Sequence, residues 1–169
     1  KDLTKPDSKL ALLFKGFDYE YGVIDNVGSK ILVSTNHGAP NNHIVSVDLA
    51  NYSPDMDMTK NWKVVVPEAK SLLEGATTAG GKLFLNYLQD VSTHVYQYTY
   101  EGVKELEIPL PAIGTAGGFG GYRDDKEVFF TFTSFTYPPT IYRYDIATKK
   151  AVEFRGSKVK FNPNDFVTE

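Results

Sequence analysis

The residues of this sequence with chemistry to offer are three histidines, a run of alternating aspartates, a cluster of glycines and a group of aromatics. The histidines are His37, His43 and His94. An imidazole can serve as a general base, but only with a reacting group held beside it. A zinc site needs His or Cys at set spacing. The sequence has no His-x-His, no His-Glu-x-x-His and no Cys, so no zinc motif is encoded. It also lacks Gly-x-Ser-x-Gly, the nucleophile elbow of an α/β-hydrolase.

The run Asp55-Met56-Asp57-Met58-Thr59 has the alternation that opens an EF-hand loop. Such a loop turns on a Gly and closes on a bidentate Glu. Lys60 and Val66 occupy those places, so the run reads as a solvated acidic loop. The segment Gly114–Tyr122 is rich in glycine. A phosphate cradle would set such glycines before a helix N-terminus, whereas Arg123-Asp124-Asp125 and a strand-like run follow here. Gly117, Gly118, Gly120 and Gly121 are instead expected to let crowded backbones approach closely. Asn51-Tyr52-Ser53 matches a glycosylation sequon, and the Pro54 that follows disfavours its use. Phe129, Phe130, Phe132, Phe135 and Tyr137 could form a ligand shelf, and are expected to fill a core between sheets. No catalytic, cofactor-binding or metal-binding residue is assigned, and no cofactor is expected.

The elements that would hold these residues follow a repeat. Ser29-Lys30-Ile31-Leu32-Val33, Gly81-Lys82-Leu83-Phe84-Leu85 and Asp125-Lys126-Glu127-Val128-Phe129 open alike. Each is followed by a second run: His43–Asp48, His94–Thr99 and Thr140–Asp145. The period is roughly 45 to 52 residues, near that of propeller blades. His43 and His94 share one place in the repeat, which points to structure rather than catalysis. Val45 and Val47 match Tyr96 and Tyr98, and Tyr142 and Tyr144, alternating with polar residues as a half-buried strand requires. Turn residues follow each run, at Leu49–Asn51, Tyr100–Gly102 and Ile146–Lys149. Closing strands are expected at Trp62–Val66, Lys104–Ile108 and Lys150–Phe154. Inner strands are expected at Tyr19–Asn26, Leu72–Thr78 and Thr115–Tyr122. The fold class is all-β: a partial β-propeller of about three four-stranded antiparallel blades. A β-sandwich is the rival, but it needs no regular four-strand period. Residues 1–15 would hold the outer strand of a truncated blade, at Lys9–Lys15. Blades would span 16–67, 68–111 and 112–157. The loop Ala50–Asn61 would be an exposed insertion.

Composition agrees. Hydrophobic residues make up 41% and aromatics 14%, which suits a packed β-rich domain. A net charge of −3 leaves no broad basic face, so no nucleic-acid partner is expected. No apolar stretch reaches transmembrane length, so no membrane partner is expected. The first residues lack an initiator Met and a signal-peptide core, and the chain is expected to start inside a longer protein. The lack of Cys suits cytoplasm and periplasm alike.

Several segments together resemble one family. They are Ile24-Asp25-Asn26, Ala39-Pro40-Asn41, Asn61–Glu68, Asn86–Val91, Asp124–Glu127 followed by Phe130–Pro138, Tyr142–Asp145 and Asn164–Thr168. In this order, over nearly the whole chain, they are similar to prolyl oligopeptidases, serine peptidases that cut short peptides after proline. The resemblance implies a seven-bladed propeller seated on an α/β-hydrolase domain, with residues 158–169 starting the linker to that domain. It also implies a Ser/Asp/His triad outside this chain, and a propeller that admits short peptides and excludes folded proteins. The expected partners are the hydrolase domain of the same parent chain and peptide substrates. An independent propeller-type binding module is the alternative, but three blades are fewer than the roughly four to eight that close a ring. Open blade faces are expected to make the chain self-associate.

Overall fold

The computed structural model describes residues 6–7, 10, 12–50, 52–53, 56–157, 159–162 and 165. Among them run twelve strands: β1 Tyr21–Val27, β2 Lys30–Thr35, β3 His43–Asp48, β4 Lys63–Val66, β5 Leu72–Ala79, β6 Lys82–Gln89, β7 Ser92–Tyr98, β8 Lys104–Glu107, β9 Thr115–Gly118, β10 Glu127–Thr133, β11 Thr140–Asp145 and β12 Lys150–Arg155. They form three antiparallel sheets of four, each joined in sequence order as an up-and-down meander. That meander is a propeller blade. The helical content described between strands is one short 3-10 turn at Met58–Lys60, inside the expected insertion loop.

The chain divides after Glu68 into two compact units. Unit 1 holds the first blade. Its core gathers Val33, Val45, Val47 and Met58, with Trp62, Tyr21 and Phe14 packed around them. Unit 2 holds the second and third blades, stacked face to face. Their shared core includes Phe84, Val95 and Ile108 from one blade, and Phe119, Phe130, Phe132 and Tyr144 from the other. Strand β10 shows why. Val128, Phe130 and Phe132 point to the core while Glu127, Phe129 and Thr131 are exposed, the period-2 consequence of a pleated backbone.

The repeat is visible in the irregularities too. The register shifts once between the third and fourth strands of every blade, at Ile44/Val45, Gln97/Tyr98 and Ile141/Tyr142. Such bulges add twist at a sheet edge. Two expectations need correction. Thr115–Tyr122 is not one strand. Pairing stops at Gly118, because Gly118 and Phe119 take φ of 117° and 63° and turn the chain out of the ladder. The strand expected over Lys9–Lys15 is absent from its described part, Leu10 and Leu12–Lys15, which joins no ladder among the described residues. Lys9 and Ala11 lie outside the described residues, as does most of 158–169.

Glycine sets how closely the blades of unit 2 meet. Gly80 N–H donates to Tyr122 O at 2.9 Å, and Gly121 N–H donates to Thr78 O at 2.9 Å, so backbone joins backbone across the two blades. A Cβ on Gly80 would lie 2.6 Å from Asp125 O, and one on Gly121 would lie 3.2 Å from the Ala79 Cβ. Close approach is therefore the role of Gly118 and Gly121, as expected. Gly117 and Gly120 face open space instead.

Candidate functional site

The three histidines lie in three different settings. In unit 1, the His37 ring stacks on Tyr19 at 3.9 Å and meets Trp62 edge-on at 5.2 Å. Its Nδ1 is 2.8 Å from the Tyr21 hydroxyl. Burial pushes that phenol's pKa up, and Tyr19, Asp57 and Asp18 add to the shift. His43 is buried edge-on to Trp62 at 5.9 Å, with no hydrogen-bond partner for Nε2. Burial lowers its pKa, Glu68 opposes this, and His37 adds to it. His37, Tyr19 and Tyr21, but not His43 or Trp62, border a cleft of about 280 Å³ that Phe14, Asp18 and Asp57 also line.

His94 lies in unit 2 at the mouth of a cleft of about 360 Å³. Strand β7 carries Ser92 and His94 two residues apart, so both side chains share one face. Strand β8 brings Glu107 alongside. His94 Nδ1 lies 2.7 Å from Glu107 Oε1, and Nε2 lies 3.4 Å from Ser92 Oγ. The order serine, histidine, carboxylate is that of a nucleophile, its base and an orienting acid. The distances do not complete it. A hydroxyl has one proton, and Ser92 Oγ donates it to Gln89 O at 2.9 Å. Ser92 is also buried. The arrangement clamps β7 to β8 across the cleft wall.

The remaining candidates resolve into structure. Asp57 caps the 3-10 turn, accepting from Thr59 N at 3.0 Å and Thr59 Oγ1 at 2.6 Å, and these bonds hold its carboxyl below the usual range. Met58, beside it, is buried in the unit 1 core. Asp55, Asn51 and Pro54 lie outside the described residues. The Tyr52 hydroxyl donates to Leu12 O at 3.2 Å. Of the five clustered aromatics, Phe130 and Phe132 are buried and Tyr137 packs edge-on to Phe132 at 5.9 Å. The expected core role fails for the other two. Alternation turns Phe129 to the outer face, where it meets Phe154 at 5.0 Å, and Phe135 sits fully exposed on a loop.

One cluster had no sequence signal. Tyr144 OH donates to Gln97 Oε1 at 2.8 Å, Gln97 Nε2 donates to Glu105 Oε2 at 2.6 Å, and Lys82 Nζ reaches Glu105 Oε1 at 2.6 Å. Gln97 is fully buried. Burial works to raise the Glu105 pKa, but the hydrogen bonds from Lys82 and Gln97 hold it below the usual carboxylate range. Burial pushes the Tyr144 phenol up to about 12. The chain Tyr144–Gln97–Glu105–Lys82 crosses from the third blade to the second and fixes their register.

Among the described residues no complete catalytic constellation is formed, so the blades carry the identification. The family profile described as prolyl oligopeptidase, N-terminal β-propeller domain, matches residues 1–155. The chain belongs to the prolyl oligopeptidase family. A prolyl endopeptidase of Elizabethkingia miricola is 34% identical over 169 residues, which is all of this chain and 23% of that protein. The dual function macrocyclase-peptidase POPB of Amanita bisporigera is 29% identical over 98% of this chain and 23% of its own length. A solved structure from a study of two prolyl endopeptidases and their inter-domain dynamics superposes with a TM-score of 0.84, at 32% identity, over 94% of this chain and 23% of that one. This chain thus spans about a quarter of these prolyl oligopeptidase relatives, and what it shares with them is propeller.

Proposed function

We propose that this chain is the non-catalytic propeller part of a prolyl-specific serine peptidase. The rest of the parent would supply an α/β-hydrolase domain with a Ser/Asp/His triad. The observation that carries this reading is the set of three meander blades matching the family's propeller profile over residues 1–155. The blades would act as a size filter, passing short peptides to a chamber and excluding folded proteins. Seclusion of that kind also keeps bulk water from the chemistry. Among the described residues, the serine–histidine–carboxylate contact at Ser92, His94 and Glu107 has its serine proton engaged elsewhere, which fits a supporting role.

The test begins with the reading frame downstream of Glu169. Gly-x-Ser-x-Gly followed by Asp and then His is expected. A stop codon close by would leave an independent binding module as the better account. The full-length protein should hydrolyse a short prolyl peptide and leave a folded protein of the same cleavage sequence intact. Equal rates on both would overturn the filter.

A further inference from the structure

The start of β1 and the end of β2 meet in unit 1, because Tyr21 pairs with Thr35. Tyr19 and Tyr21 therefore arrive beside His37. Three bonds hold this junction. Glu20 N–H donates to Asn36 Oδ1 at 2.9 Å, His37 N–H donates to Thr35 Oγ1 at 3.1 Å, and the Tyr21 hydroxyl meets His37 Nδ1 at 2.8 Å. Phe14 stacks on Tyr21 with ring centroids 4.1 Å apart, and Tyr19 stacks on His37 at 3.9 Å. Tyr21 and His37 stand at 76° to each other. The two stacks thus form a corner, and all four rings line one cleft of about 280 Å³. That is small for a drug-sized ligand and suits a single side chain.

Charge in the cleft is uneven. Asp18 and Asp57 line it against one ammonium, that of Lys15. Asp57 is committed to the 3-10 turn through Thr59, and Lys60 lies 3.7 Å from its second oxygen. Asp18 is exposed and makes no side-chain hydrogen bond among the described residues. Burial raises the Tyr21 phenol's pKa, and Tyr19, Asp57 and Asp18 add to the shift, so both carboxylates act on a ring of the corner. Leu13 and Met56 supply apolar wall. Aromatic faces carry negative charge density. Rings and carboxylates therefore favour the same ligand: they repel an anion and attract a cation with apolar surface.

We propose that this cleft of unit 1 binds a guanidinium group on an alkyl stem, held by the aromatic corner and by Asp18. A guanidinium is flat, stacks on aromatic rings and forks its N–H donors onto a carboxylate. An ammonium is more strongly hydrated and has no flat face to stack. The alkyl stem would pack on Leu13 and Met56. The arginine side chain of a peptide and a small free guanidine share this chemistry. The function proposed above uses neither the cleft nor its rings, so the site stands or falls by itself.

Met56 and Met58 are the only methionines of the sequence, and both line the cleft. The test is NMR of isotope-labelled methionine methyls in the full-length protein, with the Met56 signal identified by its loss in Met56→Leu. Propylguanidinium is expected to shift that signal to saturation. Propylurea, its flat uncharged analogue, should leave it in place at the same concentration. Asp18→Asn and Tyr19→Leu should each weaken binding on the order of tenfold, the effect of losing a counter-ion or a ring. The buried Met58 methyl should keep its dispersed signal in both, showing that the blade is folded. N-acetylarginine methylamide separates the sources. Tighter binding than propylguanidinium supports a peptide side chain, and weaker binding supports a free guanidine. No saturable shift, equal shifts from propylurea, or undiminished binding in both folded variants would each overturn the site.

Discussion

At the scale of single residues, Gln97 decides most. Its amide accepts from the Tyr144 hydroxyl and donates to Glu105, and it is out of contact with water. Gln97→Ala would leave a buried phenol and a carboxylate short of a partner. The expected cost is about 2–4 kcal/mol in a urea titration. Tyr144→Phe removes one donor and should cost about 1 kcal/mol. The double variant should fall short of the sum, because both changes break the same bond. Additive costs would mean the network is not coupled. His43 offers a pH test in unit 1. Its pKa is held below the ordinary 6.5 by burial, against the opposing pull of Glu68 and with the push of His37. An unfolded chain then takes up the proton more readily than the folded one. Stability from this residue is full above about pH 6.5 and declines as pH falls below that value. Trp62, the only tryptophan, packs against His43 and reports the unfolding. His43→Leu should flatten the profile between pH 7 and pH 5, and an unchanged slope would assign it elsewhere. The histidines were legible as residues of one repeat position, 43 and 94. Their settings were not, since one is buried against Trp62 and the other is paired with Glu107 at a cleft.

At the scale of elements, the glycine-rich segment shows what spacing can and cannot say. Five glycines lie between 114 and 121, and the sequence treats them alike. A Cβ on Gly114 would lie 2.4 Å from Thr133 O, whereas one on Gly117 meets nothing. Gly114→Ala should therefore destabilise unit 2 by about 1–3 kcal/mol through forced backbone shifts. Gly117→Ala should stay within about 0.5 kcal/mol of the wild type. Thermal melts of the two variants make the comparison, and equal melts would remove close packing as the reason for Gly114. Strand positions were far more legible than this. Alternation of large and polar residues, bounded by turns, is a local property of the chain. It placed Thr140–Asp145 and His43–Asp48 where the ladders run. It overextended the strand from Thr115, because nothing local announces that Phe119 will turn to φ of 63° and bury its ring against Phe130 at 4.5 Å.

At the scale of the whole molecule, the third blade presents an open face. Phe129, Ile141, Val152 and Phe154 stand on it, between 36% and 59% exposed. The matching positions of the second blade, Phe84, Val95 and Ile108, are buried. The same surface is thus core in one blade and solvent-facing in the next. Light scattering of the 169-residue chain should show self-association, and Phe129→Asp with Phe154→Asp should reduce it. A stable monomer of the unaltered chain would count against the prediction. Sequence by itself determined the strands, the fourfold meander and the repeat, because these follow from pleat, turn chemistry and period, all read within a few neighbouring residues. The family resemblance came from the same linear order. Only the tertiary structure decided which member of the repeat is buried, that Tyr144 would meet Gln97 across 47 residues, and that Phe14, Tyr19, Tyr21 and His37 would line one cleft of unit 1. Those outcomes depend on partners distant in the chain, and a side chain's surroundings are set by what packs on it rather than by its neighbours in sequence.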